Sequence, residues 1–263
     1  MTTAPGGTTW HDLGRRTGSA IALAGAGMLA ALAGGAWFAA FAIAIGATIA
    51  WEMSVIAGAR RPARVALATA AASALLVAFP SPWLLVLLFL PALAGRDNVR
   101  RVARGHAVFC ALCIVAVCTL VELRATAGIV WLVWFVCVVI ATDVAGYFAG
   151  RALGGPKCWP QLSPKKTWSG TCAGWVAAAG VGAAAMGPTE AGLGLVAASV
   201  ALSMASQAGD VAESAMKRAG GAKDSSDLLP GHGGFFDRFD GVIGAAALLV
   251  AIDAVTPLLP GPA

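Results

Sequence analysis

The sequence predicts an all-α integral membrane protein with about nine transmembrane helices and a cytoplasmic N-terminus. Three observations lead there. Only 12% of the 263 residues are charged, against roughly a quarter in soluble domains. The charges cluster between long apolar stretches, giving a mean hydropathy of +0.79. The basic residues also recur at alternate connections between those stretches, the asymmetry that orients membrane proteins.

Taken in order, Thr17 to Ala59 carries Glu52 as its one charge, and its 43 positions at about 1.5 Å per residue can cross roughly 30 Å of hydrocarbon twice. Gly34-Gly35 supplies the hairpin between the first two spans, 18–33 and 36–56. Further spans fall at 63–79, 82–95, 105–122, 126–148, 167–187, 190–208 and 241–259. With the N-terminus inside, the connections expected on the cytoplasmic side hold Arg15 and Arg16, then Arg60, Arg61 and Arg64, then Arg96, Arg100, Arg101 and Arg104. Arg151, Lys157, Lys165 and Lys166 follow the sixth span, and Lys217, Arg218, Lys223 and Arg238 follow the eighth. That places 17 of the 18 Lys and Arg residues on one side and leaves only Arg124 on the other. The chain is therefore expected in the inner, cytoplasmic membrane with its active site facing the cytoplasm.

A net charge of +5 could suit nucleic acid, but bases spread along one membrane face match anionic headgroups better, so no nucleic acid partner is expected. The polar first residues and the hairpin that follows do not read as a cleavable leader. Cys110, Cys113, Cys118, Cys137 and Cys172 lie in or beside apolar spans, and the Cys110/Cys113 pair reads as packing. One membrane domain is expected, with residues 1–125 as a transmembrane scaffold and 126–263 as the catalytic half. The small residues of Ala20 to Ala50 allow close helix approach, within the protomer or across a dimer.

Chemistry concentrates beyond residue 140. Asp210, Glu213, Ser214 and Lys217 recur at spacings of three and four, so one helix face carries them. Two acids at a membrane edge are costly unless a cation neutralises them, which makes Asp210 a candidate Mg²⁺ ligand; an ion-pair ladder with Glu213 and Lys217 reads equally well. The run Leu229-Pro-Gly-His232-Gly233-Gly234 cannot continue a helix and forms a tight loop whose N–H groups could approach an oxyanion. It leads into Asp237, Arg238 and Asp240. The two acids, three apart, can complete a metal site, and Arg238 offers a planar fork for phosphate. His232 is expected to hydrogen-bond within the loop more than to carry protons. Asp143 lies near the end of the sixth span with Tyr147 one turn later, either in the metal site or bonded to Tyr147 or a basic loop residue. Lys165 and Lys166 could bind phosphate or simply anchor the loop. Glu52 is expected to reach Arg60 or Arg61, whereas Asp253 has no partner that can be named. Trp83, Trp131 and Trp134 suit interfacial belts or packing.

Over the charged window, Ser214-Ala-Met-Lys217-Arg218, a four-residue gap, Lys223-Asp224, and Leu229-Pro-Gly-His232-Gly233-Gly234-Phe-Phe-Asp237-Arg238-Phe-Asp240 resembles the signature of the phosphatidate cytidylyltransferases, or CDP-diacylglycerol synthases. Ser163-Pro-Lys-Lys-Thr167 and Gly209-Asp-Val-Ala-Glu-Ser214 are similar to two further family segments. The resemblance implies a multi-span homodimer that joins CTP to phosphatidate, a membrane lipid, with release of pyrophosphate. It also implies Mg²⁺, with a monovalent cation such as K⁺. Carried over, Asp210 and Asp237 hold metal; Lys217, Arg218, Lys223 and Arg238 bind phosphates; Lys165 and Lys166 join the substrate site. Ser169 departs from the family's usual glutamate, and Val144-Ala145-Gly146 from its usual Thr-Gly-Ala order. Two rivals stay open on the residues alone: a CTP-dependent polyprenol- or phytol-type lipid kinase, and a non-enzymatic transporter or scaffold.

Overall fold

A computed structural model describes residues 10–96, 99, 102–229 and 233–260. Helices α1 (Trp10–Ala33) and α2 (Gly35–Ile56) form the expected hairpin, followed by α3 (Pro62–Ala78). A 3-10 helix, Pro82–Phe89, runs into the short α4 (Leu90–Gly95). Helix α5 (Ala103–Glu122) passes through a π-turn, Leu123–Ala127, into α6 (Ile129–Leu153). Strands β1 (Lys157–Trp159) and β2 (Ser163–Thr167) precede α7 (Trp168–Thr189), α8 (Gly194–Gly220) and α9 (Phe236–Val255).

Among the described residues, five helical stretches are long and apolar enough to cross a membrane: Gly35–Ile56, Arg104–Ala127, Ile129–Leu153, Trp168–Thr189 and Gly194–Gly220. Gly18–Ala33, Pro62–Ala78 and Pro82–Gly95 are apolar but shorter. A multi-pass helical protein follows. Large apolar side chains including Trp37, Leu67, Trp83 and Val176 are exposed, as suits surfaces whose solvent is lipid.

Three local differences from the sequence reading have physical causes. The expected span over 82–95 is broken in two, 3-10 helix over Pro82–Phe89 and then α4, because Pro91 has no N–H to donate to Leu87 and is tolerated only in the first turn of a new α-helix. The connection after α6 is a two-stranded antiparallel hairpin pairing Lys157 with Thr167 and Trp159 with Ser163. The π-turn, finally, carries Arg124, whose Nε donates to Ala31 O at 2.7 Å and whose Nη2 reaches Leu32 O at 3.5 Å. The one base opposite the others thus satisfies carbonyls at the C-terminus of α1.

The bundle's polarity can be read from contacts between its connections. At one end, Gly105 of α5 lies against Met216 of α8, Gly220 lies against Ile56 of α2, and Lys166 meets Asp210. The basic connections α2–α3, α4–α5, α6–α7 and α8–α9 therefore share that end, while Arg124 and the α1–α2 turn lie at the other.

Most polar groups inside the later spans bond across helices: Trp134 Nε1 donates to Ser199 Oγ at 2.9 Å, Thr142 Oγ1 to Ser203 Oγ at 2.8 Å, and Trp175 Nε1 to Gln207 Oε1 at 2.9 Å. These side chains join α6, α7 and α8 where lipid offers no competing partner. Trp131 and Trp134 are buried against each other edge to face at 5.6 Å, so they pack and do not belong to an interfacial belt. Helices α8 and α9 approach at Gly209 and Gly244. A Cβ on Gly244 would lie 3.1 Å from Gly209 Cα, and one on Gly209 would strike the Asp240 carbonyl. That crossing sets Asp210 beside Asp240.

Candidate active site

Because Asp210 follows Gly209 at the helix crossing and Asp240 precedes the next turn of α9, their carboxylates are brought together with that of Glu213. One oxygen from each of Asp210, Glu213 and Asp240 lies within 4.8 Å of the others. Asp143 on α6 is within electrostatic reach of Asp210, Lys166 and Arg238. Three of the five acids expected at a metal site therefore converge, with Asp143 in their electrostatic neighbourhood.

The fifth, Asp237, joins through intermediaries. Lys217 Nζ lies 2.6 Å from Asp237 Oδ1 and 2.7 Å from Glu213 Oε1. The second contact is an ion pair off the hydrogen-bonding direction, since Glu213 Oε1 is buried without a hydrogen-bond partner. Asp237 Oδ2 accepts from Gly234 N at 2.8 Å, Ser225 N at 3.0 Å and Ser225 Oγ at 2.8 Å. Burial opposes ionisation of Asp237, but its contacts with Glu213, Gly234, Lys217 and Ser225 prevail and hold its carboxyl well below the usual carboxylate range. The Gly234 N–H, expected to face a substrate oxyanion, is engaged by Asp237. Gly233 has φ 81°, and its carbonyl accepts from Leu229 N at 2.9 Å. His232 lies outside the described residues.

On β2, adjacent side chains point to opposite faces, which separates the lysine pair. Lys166 turns inward to Asp210 Oδ2 at 2.6 Å, whereas Lys165 is exposed. Thr167 then caps α7, its Oγ1 accepting from Gly170 N at 3.3 Å. Ser169 Oγ bonds the Gly154 carbonyl and lies 3.0 Å from Thr167 Oγ1, so it fastens the hairpin's root. Ser214 is half-buried on α8; Arg218, Lys223 and Arg238 are exposed, Arg238 within electrostatic reach of Asp143 and Arg218 Nη1 donating to Ala222 O at 3.3 Å.

Two sequence expectations are corrected and one gap is filled. Glu52 does not reach Arg60 or Arg61; it turns inward and accepts from Phe235 N, Phe236 N and the Ser226 hydroxyl, with Ser225 Oγ 3.4 Å away. These neutral donors satisfy it without leaving the protein. Tyr147 bonds Arg151, whose Nη1 donates to its hydroxyl at 3.1 Å, and not Asp143. Asp253 caps the chain beyond α9, its Oδ1 accepting from Leu258 N at 3.0 Å and Leu259 N at 2.9 Å. Ser225 and Ser226 drew no notice in the sequence; the only signal was their place after Lys223-Asp224 in a charged loop.

Hard carboxylate oxygens suit a divalent cation such as Mg²⁺, and the buried, hydrogen-bond-deficient Glu213 Oε1 among three converging acids fits that use. Fold and site together define a multi-pass helical membrane protein with an acidic, lysine-bordered centre suited to phosphate chemistry. The sequence profile described as "Cytidylyltransferase family" matches residues 14–255, and the chain belongs to that family. Similar proteins include those named phosphatidate cytidylyltransferase from Brucella suis, 48% identical over 130 residues covering 49% of this chain and 48% of that one, and from Bacillus subtilis, 41% identical over 113 residues covering 41% and 42%. A third, from Haemophilus influenzae, is 39% identical over 125 residues covering 45% and 43%. The matched region spans about half the length of these curated relatives.

Proposed function

We propose that this chain transfers the cytidylyl group of CTP to phosphatidate, giving CDP-diacylglycerol and pyrophosphate for phospholipid biosynthesis. The observation that carries the proposal is the Asp210, Glu213 and Asp240 cluster bordered by Lys166 and Lys217 in a member of the cytidylyltransferase family. The name shared by the similar proteins supports phosphatidate as acceptor.

A phosphate oxygen of phosphatidate forms a bond to the α-phosphorus of CTP while the bond from that phosphorus to the α,β-bridging oxygen breaks, its electron pair leaving on pyrophosphate. Nothing covalent is asked of the protein; its work is alignment and charge neutralisation. Lys166 and Lys217, held by carboxylates in this structure, carry charge for incoming phosphates. Lys165, Arg218, Lys223 and Arg238 draw in the triphosphate and lipid phosphate from around the acids, and Ser214, His232, Gly233 and Gly234 belong to the same substrate site. Mg²⁺, held by Asp210, Glu213 and Asp240 with Asp143 alongside, would neutralise charge on the leaving pyrophosphate. Asp237 orients Lys217 and the loop, and enters the metal set only by the family pattern, as does a companion K⁺.

The shared end of the basic connections supports an inner-membrane protein with this site at the cytoplasmic face. Phosphatidate then enters sideways from the inner leaflet. The exposed α1 surface, rich in small residues, is where a second copy would seat in a homodimer. The test is an assay of the purified protein with labelled CTP, phosphatidate and Mg²⁺ that follows lipid and pyrophosphate together. Labelled CDP-diacylglycerol with equimolar pyrophosphate is expected; CDP with a newly phosphorylated lipid, or no CTP turnover, would overturn the proposal.

A further inference from the structure

Glu52 is a fully buried acid, 0% exposed, in the apolar half of the chain. An isolated carboxylate there is untenable unless donors surround it. Its donors come from far along the sequence. Phe235 N and Phe236 N, at the start of α9, approach at 3.0 and 2.7 Å, so the carboxylate occupies the positive end of that helix. Ser225 Oγ lies 3.4 Å from Oε2, and Ser226 Oγ bonds Oε1. One side chain of α2 thereby holds both the outgoing segment after Lys223-Asp224 and the segment that re-enters the bundle at α9.

The same contacts continue toward the acids. Ser225 Oγ donates to Asp237 Oδ2 at 2.8 Å, nearer than its 3.4 Å contact with Glu52. Asp237 in turn holds Lys217 at 2.6 Å, and Lys217 pairs with Glu213 of the triad at 2.7 Å. The hold therefore passes through neighbouring residues: Ser226 and Phe235 bond Glu52, the adjoining Ser225 and Gly234 bond Asp237, and Asp237 holds Lys217 beside Glu213. Gly234 is needed where it stands because any Cβ would run into Glu52 Oε1 and Ser225 Oγ. The loop is drawn down onto the carboxylate along its own backbone.

We infer that Glu52 is a positioning residue for cytidylyl transfer: its buried carboxylate ties Ser226, Phe235 and Phe236 to α2 and so sets Asp237 and Lys217 against the Asp210, Glu213 and Asp240 cluster. This rests on the function proposed above. Glu52 touches no substrate; it acts through loop register. A glutamine of the same size turns one acceptor oxygen into a donor facing N–H and O–H groups that are already donors, so the loop loosens while α2 keeps its packing.

The test compares wild type, Glu52→Gln and Ser226→Ala as full-length protein in detergent, by steady-state kinetics with CTP, phosphatidate and Mg²⁺ and by amide hydrogen exchange. For Glu52→Gln, kcat should fall about 100-fold, as expected when reacting groups shift by about an ångström. Amides of residues 222–229 and 233–236 should exchange faster, with those of α5 and α6 unchanged. Ser226→Ala removes one donor and leaves the buried charge its other partners; kcat should fall about tenfold, which keeps the inference testable if Glu52→Gln does not fold. Wild-type kinetics in folded Glu52→Gln, or in Ser226→Ala when Glu52→Gln does not fold, would overturn it, as would loss of protection spread equally over all helices. If the wild type itself makes no CDP-diacylglycerol, the proposed function fails instead, and the exchange pattern still decides whether Glu52 anchors the loop.

Discussion

At the end of the bundle away from the acidic cluster, Arg124 and Asp253 each turn to backbone: Arg124 to the carbonyls that close α1, Asp253 to the N–H groups of Leu258 and Leu259. At the other end, Asp210, Glu213 and Asp240 crowd together near Asp143 and Asp237, with Lys166 paired to Asp210 and Lys217 to Glu213 and Asp237. Both ends hold charge near apolar surface. A charge matched to helix-end groups completes the fold, whereas like charges gathered in one place cost free energy unless cations offset them.

The sharpest way to break this comparison is Asp210→Asn, which removes one member of the triad. CDP-diacylglycerol formation should fall about 10³-fold with the helical circular dichroism spectrum intact, and the Mg²⁺ concentration needed for half-maximal rate should rise. Next comes Asp237→Asn, which weakens the hold on Lys217 and on the loop; a loss of about 10² is expected. If its rate falls as far as that of Asp210→Asn, together with the same shift in Mg²⁺ dependence, Asp237 belongs in the metal set after all.

Lys166→Ala and Lys165→Ala sharpen the contrast within the hairpin. Lys166→Ala should reduce kcat/KM for CTP about tenfold, because it leaves Asp210 without its 2.6 Å partner. Exposed Lys165 should cost less than half as much in free energy. The smallest effect belongs to the far end: Arg124→Ala should lower stability by about 1 kcal/mol, read as a lower midpoint of thermal unfolding, while kcat and KM stay at wild-type values. A change in kcat there would erase the distinction between the two ends.

How far the sequence alone carries can be judged residue by residue. Asp210, Glu213 and Lys217 were legible because helical spacing is local: residues three and four apart share a face in any fold. The basic connections were legible because orientation in a bilayer depends on where charge falls along the chain. The 3-10 segment after Pro82 was missed because apolarity reports burial in lipid and says little about how the backbone winds. That Asp210, Glu213 and Asp240 lie closest together, with Asp237 joined through Lys217, depends on where α8 and α9 cross at Gly209 and Gly244, a contact between positions distant in the chain. Glu52 was misassigned because a nearby arginine in sequence is an easy partner to name. Its real donors lie more than 170 positions away.

By itself, then, the sequence determined that the chain is a multi-pass helical membrane protein, where its positive charge falls along the chain, and which family signature the last hundred or so residues bear. Those properties sum over neighbouring residues and survive any packing. Tertiary structure alone decided which carboxylates meet, which lysine faces them, and that an acid in the apolar first half anchors the loop of the second. Such choices depend on helix crossings and on the satisfaction of buried donors, which no single stretch of chain contains.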